Sequence, residues 1–293
     1  MADHDPAAAR PLLRRAAAPV SEGRINGIGA PSPGWEWVGF DAYRLRAGQA
    51  IAHQADDHER LVLVLEGRAT VCAGEADLGE LGSRLSVFEG PPAPVVLVEP
   101  GRGIEVVART DALIVVATAP GGAVRRTAAI PPEDVLVEAR GSGQTARTIH
   151  HLLPPDAEAG RLIAFEVLTP GGNWSSYPPH KHDTEDPPNE ARLEELYFYR
   201  FARPAGFAFQ RVSTPDGTLD ETITPRDGDV VLVPAGYHPV AAAPGYDCYY
   251  LNVMAGPNRA WHFTLDPDHA WLMNWDPAAP QAAGRPSAEE ASA

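Results

Sequence analysis

Short apolar runs, punctuated by Gly, Pro and Asp, recur along most of the chain, and few of them follow the spacing of a helix. Strand signals lie at 35–48 (WEWVGFDAYRLRAG), 61–71 (LVLVLEGRATV), 84–90 (RLSVFEG) and 94–101 (PVVLVEPG), followed by GIEVVART and ALIVVATAP. Each is rich in Val, Leu, Ile and aromatics and is bounded by turn formers, the pattern of β-strands. The rhythm returns at 161–172 (RLIAFEVLTPGG), 196–201 (LYFYRF), 206–212 (GFAFQRV), 229–236 (DVVLVPAG) and 246–256 (YDCYYLNVMAG). Helical stretches are short, the best lying near DHAWLMNW. The pattern predicts an all-β protein.

The two halves echo each other. GSRLSVFEG (82–90) and GDVVLVPAG (228–236) have equal length and glycine at both ends, which sets Pro92 where His238 stands. HERLVLVLEG lies over LEELYFYRF, with LVLV over LYFY and Arg60 over Glu195. Two β-barrel domains of one kind are therefore expected, alike in frame and unlike in chemistry. The expected boundaries are a flexible arm at 1–25, a first domain at 26–130 without metal ligands, a second domain at 131–276 and a disordered tail at 277–293. The first domain is expected to serve as a packing partner through its apolar runs.

A chain of 293 residues is long enough for two such domains. Its 24 basic and 39 acidic residues give a formal charge of −15, and no basic cluster argues for nucleic acid. An acidic surface also disfavours anionic membranes, and an anionic substrate would need arginines or lysines of its own in the pocket. No apolar run reaches the length of a membrane span. The start, MADHDPAAARPLLRRAAAP, lacks the apolar centre of a signal peptide. Cys72 and Cys248, far apart, read as buried free thiols, in keeping with a cytoplasmic protein.

The chemistry gathers in PPHKHDTEDPPNEARLEELYFYRF, residues 178–201. Residues two apart on a strand share a face, so His180 and His182 present two imidazoles together while Lys181 points away. Glu194 and Glu195 open the next apolar run on opposite faces, so only one of them can join the histidines. His238 follows PAGY at a strand end. Three imidazoles and a carboxylate suit one divalent first-row metal per chain, zinc first, with manganese, iron or nickel as alternatives. His53 and His58 lack a third partner. His4, His150, His151 and His269 read as surface or loop histidines.

H-x-H, then Glu, then G-x5-P-x-G-x-H resembles the two cupin motifs, and the doubled chain resembles a bicupin. The resemblance implies two double-stranded β-barrels (jelly rolls), with a metal at the mouth of the second. It also selects Glu195, the glutamate immediately before the aromatic strand, to join His180, His182 and His238. One departure is the twelve residues between His182 and Glu195, far more than most cupins have; the DTEDPPNEARL stretch is then a loop that could cover the site. GGNWSSYPPHKHD, LEELYFYRF, GFAFQRV and PAGYHPVAAAPGYDCYYLNVMAG together resemble the 5-deoxy-glucuronate isomerases of bacterial inositol catabolism. GRATV, SVFEGPPAP and GPNRAWHFTLDPDHAWL extend the resemblance to nearly the whole chain.

That family implies an aldose-to-ketose isomerisation of a small anionic sugar acid through a metal-stabilised enediolate. Candidate catalytic residues, on pocket-side positions by alternation, are Tyr199 and Tyr250. Arg211 is the first choice for the substrate carboxylate, with Gln210 and Asn252 as polar partners. Gln210 and Arg211 are strand neighbours, so at most one faces the pocket. Competing readings are the related uronate isomerase of pectin breakdown, a metal-dependent oxygenase and a non-catalytic sugar binder. Exposed sheet edges would need covering, which leaves room for a homo-oligomer.

Overall fold

The structure, a computed structural model, describes residues 11–20, 22–32, 34–122 and 126–275. Strands dominate, and the stretch near DHAWLMNW is a 3-10 helix, Pro267–Asn274. The chain forms two jelly-roll barrels, each from a large and a small antiparallel sheet. In the first barrel the large sheet runs Ala128–Ile130, Val95–Val98, His58–Glu66, Ala112–Pro120, Gly39–Leu45, Arg24–Ile28. In the second it runs Leu13–Arg14, Val230–Val233, Glu194–Phe201, Cys248–Ala255, Ile163–Thr169, Arg147–Leu153, Leu136–Arg140. The two orders match strand for strand, apart from the last strand of the second. The segment between the barrels passes from Ala128–Ile130 in the first sheet, through a 3-10 turn at Pro132–Asp134, to Leu136–Arg140 in the second.

Each large sheet is buried on both faces, which is why its strands read as continuous apolar runs. On His58–Glu66, Leu61, Leu63 and Leu65 face the second barrel, while Val62 and Val64 fill the first. On Glu194–Phe201, Leu196 and Phe198 face the first barrel, while Tyr197, Tyr199 and Phe201 fill the second. The largest apolar core therefore lies between the barrels.

Two reciprocal clasps lock this interface. The buried Glu194 carboxylate accepts from the backbone N–H groups of Glu36 (2.6 Å), Trp37 (2.7 Å) and Val38 (3.2 Å). Glu59, its counterpart on the first barrel, accepts from Gly160 (2.7 Å), Arg161 and Leu162 (2.7 Å). Charge-assisted bonds of this kind orphan several N–H groups if the carboxylate is lost.

The expected frame needs three corrections. Residues 84–90 form turns, not a strand. The true repeat pairs VVLV with VVLV: Val98 lies opposite Arg60, as Val233 lies opposite Glu195. Five residues beyond Val233 is His238, and five beyond Val98 is Gly103, so Gly103 and not Pro92 stands for the missing histidine. Arg60 does occupy the place of Glu195, and a terminal nitrogen of its guanidinium bonds Asp56 (2.7 Å) and the Gln54 carbonyl (2.8 Å).

The arm is also not loose where it is described. Leu13–Arg14 pairs with Val230–Val231 and covers that sheet edge. Buried Asp229 holds Arg15 (2.7 Å) and the N–H of Ala16 (2.8 Å). Residues 1–10 and the tail at 277–293 lie outside the described residues.

Candidate metal centre and its pocket

His180 opens the short strand His180–Lys181, which pairs with Thr264–Leu265. Lys181 points away and bonds Asp183 (2.7 Å) and Glu190 (2.8 Å). The long spacing from His182 to Glu195 closes on itself. The N–H of Leu193 donates to the carbonyl of His182 (2.9 Å), and Nδ1 of His182 meets the carbonyl of Leu193 (3.1 Å). Residues 183–192 thus bulge out while Glu195 returns beside His182. His238 is set by the turn before it. Gly236 sits at φ 89°, and a Cβ there would strike the Ser213 carbonyl.

The three imidazoles converge, their candidate ligand nitrogens within 4.8 Å of one another. Oε2 of Glu195 lies 3.0 Å from Nε2 of His182 and 3.0 Å from Nε2 of His238. Every Nδ1 faces a backbone carbonyl: Pro178 (3.0 Å), Leu193 (3.1 Å) and Gly236 (2.8 Å). A ring nitrogen bonded to a carbonyl carries the proton, so each Nε2 is left to offer a lone pair. Asn252 donates to the other oxygen of Glu195.

Burial, with His238 and His182 nearby, lowers His180 to about 3. Burial opposes the charge on Glu195, but His238 and His182 outweigh it and hold the carboxyl well below the usual carboxylate range. The buried Nε2 of His238 has no hydrogen-bond partner. Three converging Nε2 atoms, an ionised carboxylate and a buried ring nitrogen without a hydrogen bond fit a divalent cation.

Beside this centre lies a cavity of about 150 Å³. Its lining includes His180, Glu195, Tyr197, Tyr250 and Asn252, together with Arg140, Arg147 and His151. Trp261 and Phe263 close over the histidines, with ring centroids 5.4 Å from His182 and 4.9 Å from His180 respectively. Ser176, at φ 48°, holds its hydroxyl 2.9 Å from that of Tyr197 and 3.4 Å from that of Tyr250. A non-glycine residue in this left-handed region is the kind of local strain that clusters at functional sites.

Of the residues expected to act on substrate, Tyr250 and Asn252 line the cavity, and the Asn252 amide nitrogen is engaged with Glu195. Tyr199 is one turn of the pleat deeper than Tyr197, buried, and its hydroxyl donates to Gln210 (2.8 Å). It is a core residue outside the cavity lining. Gln210 faces inward but is buried behind His238, against whose carbonyl its amide rests (3.4 Å). Arg211 points outward, its side chain 51% exposed and paired with Asp220 (2.7 Å). Strand alternation explains both placements: Ala208, Gln210 and Val212 are buried, and Phe209 and Arg211 are exposed.

Two histidines read as surface residues are not. His150 is buried against Glu166 (2.9 Å) at the barrel interface, and His151, one residue on and facing the other way, lines the cavity. Arg147, Arg140 and His151 carried no motif. The signal available was the alternation in RTIHHLL, which places Arg147, Ile149 and His151 on one face.

Two jelly-roll barrels, with three histidines and a glutamate gathered in the second, define a bicupin with a buried candidate metal centre in that barrel. The chain belongs to the KduI/IolB family, whose profile matches residues 12–272. It is 46% identical over 263 residues to a 5-deoxy-glucuronate isomerase of Geobacillus kaustophilus, covering 90% of this chain and 95% of that protein. A 5-deoxy-glucuronate isomerase of Listeria monocytogenes is 40% identical over 269 residues, covering 91% and 98%. Among solved structures, an IolB-like protein from Salmonella typhimurium superposes with a TM-score of 0.87 at 43% identity, covering 90% of this chain and all of that one. Oxalate decarboxylase from Lactobacillus farciminis shares the fold, with a TM-score of 0.64 at 13% identity, covering 94% and 93%. Among the described residues no helix is long and apolar enough to cross a membrane.

Proposed function

We propose that the protein is an aldose–ketose isomerase that converts 5-deoxy-glucuronate to 5-dehydro-2-deoxy-gluconate, a step of inositol breakdown. The observation that carries this reading is a buried three-histidine, one-glutamate centre opening on a cavity with arginines in its lining, in a chain 46% identical to a named isomerase over 90% of its length. A cytoplasmic location is part of the same reading.

The reaction moves a proton from C2 to C1 of the substrate and shifts the carbonyl, with charge building on two oxygens of an enediolate. A divalent cation held by His180, His182, Glu195 and His238, with zinc first among the metals that suit these donors, would supply Lewis-acid stabilisation of that charge. Asn252 holds Glu195 in place for that task. Burial pushes the Tyr250 phenol up to about 12 and the Tyr197 phenol well above its ordinary value. Both stay protonated near neutral pH and, with Ser176, offer hydroxyl donors to the developing oxyanions. His151 is the cavity-lining imidazole outside the metal set, and Glu138 orients it at Nε2 (2.9 Å). It is assigned the proton transfer, in the arrangement of a base held by a carboxylate.

His151→Gln is then expected to lower kcat by about 100-fold or more, with bound metal unchanged by elemental analysis. Wild-type kcat in this variant would remove His151 from the proton path.

The test of the function itself is turnover of 5-deoxy-glucuronate by metal-analysed protein, followed by proton NMR in D2O. The reading expects the keto acid to form, with deuterium entering at the new methylene carbon. Bound metal without turnover would discard this substrate and make the pectin-derived uronate the next compound.

A further inference from the structure

Two strands that contribute to the cavity lining carry an unusual charge arrangement. Strands Leu136–Arg140 and Arg147–Leu153 pair with Arg140 directly opposite Arg147 and Leu136 opposite His151. Like charges facing across a strand pair repel each other and need a counter-ion. Glu138 serves only part of this group: it takes two bonds from Arg140 (2.8 Å each) and one from His151 (2.9 Å). Arg147 gains no carboxylate. Its guanidinium donates to the carbonyls of Thr145 (2.9 Å) and Tyr177 (3.1 Å), and among the described residues it makes no ion pair. Burial is the main influence against its charge and Arg140 adds to it, while Tyr250 and Glu138 offset only part. A partly buried cation without a counter-ion is costly unless an anion arrives. The two carbonyl bonds hold the guanidinium plane and leave donors over for an incoming carboxylate.

We propose that Arg147 binds the carboxylate of the substrate and is the residue that makes the protein select a sugar acid over the corresponding neutral sugar. This rests on the isomerase reading for the identity of the acid. The cavity is then polar in one direction. Glu195 at the histidine end repels a carboxylate, Arg147 attracts it, and the carbonyl end of the molecule is left to face the histidines. This also resolves how a chain of charge −15 binds an anion: the required cation is internal.

The test compares wild-type holoprotein with Arg147→Met and Arg147→Lys on 5-deoxy-glucuronate and on 5-deoxyglucose, its neutral counterpart. Calorimetric binding of both compounds is measured alongside turnover, and metal content and circular dichroism are recorded for each protein. Arg147→Met is expected to raise KM and Kd for the acid by about 30- to 100-fold and leave the neutral sugar within about threefold. Arg147→Lys should recover part of the loss, because it restores charge without the paired donors. Equal loss for acid and neutral sugar, or an unchanged Kd for the acid, would overturn the assignment. If wild-type protein fails to turn over the acid, the isomerase reading falls, and the calorimetric ratio still decides the role of Arg147.

Discussion

His238→Ala is expected to abolish tight metal binding and to lower kcat/KM by about a thousand-fold or more, while the protein remains folded. Nε2 of His238 and Nε2 of His182 both lie 3.0 Å from one oxygen of Glu195, so His238 supplies one side of a closed donor set. Truncation to alanine leaves two imidazoles and the carboxylate, one donor fewer in a site shaped for four, and so a weaker hold on the cation. The fold should survive, because the apolar cores of the second barrel and of the interface are built from other residues. Elemental analysis and the NMR assay are the measurements. Stoichiometric metal with normal turnover would sink the ligand set.

The largest stability effect is expected between the barrels. Glu166, fully buried, takes Arg84 from the first barrel, His150 (2.9 Å), the hydroxyl of Tyr249 (2.8 Å) and the N–H of Ala93 (3.2 Å). Arg84 reaches it from the turns at 84–90 and also donates to the carbonyls of Leu65 (2.6 Å) and Pro91 (3.2 Å). Glu166→Leu leaves the Arg84 guanidinium buried without its counter-charge, which is expected to cost about 3–5 kcal/mol. The double variant Arg84→Met/Glu166→Leu should regain most of that loss, since no unpaired charge remains. Urea titrations of the three proteins decide the matter; a double variant no better than the single one would contradict the account.

Acid should act on the same pair. Burial opposes the Glu166 charge, but Arg84 and His150 bring the carboxyl down from 4.5 to about 2. A folded-state value below the unfolded one means that the pair contributes in full above about pH 4.5. That contribution fades as the pH falls toward 2. Wild-type stability should drop over that window, and the double variant should lack this part of the drop.

The strand pattern, the doubling and the histidine set could be read from local information. Alternation puts His180 and His182 together whatever the rest of the chain does, and a strand that begins at Glu194 must send Glu194 and Glu195 to opposite faces. The structure gives the second half of that statement its meaning: Glu195 goes to the histidines and Glu194 clasps the other barrel. The arm at Leu13–Arg14 had no signal, because a two-residue strand has no periodicity and is held by its partner Val230–Val231. RLSVFEG has strand composition, yet forms turns that deliver Arg84 to Glu166, a contact 82 residues away. Tyr199 and Tyr197 share one parity, and only depth in the barrel separates a core phenol from a cavity hydroxyl. Arg211 and Arg147 look alike as strand arginines; which one faces the cavity depends on how its strand is seated in its sheet. The sequence by itself thus determined the fold class, the duplication and the residue types of the centre, because these follow from spacing along one strand at a time. Only the tertiary structure decided which arginines and which further histidine line the cavity, and how the barrels meet, because those depend on which strands lie side by side.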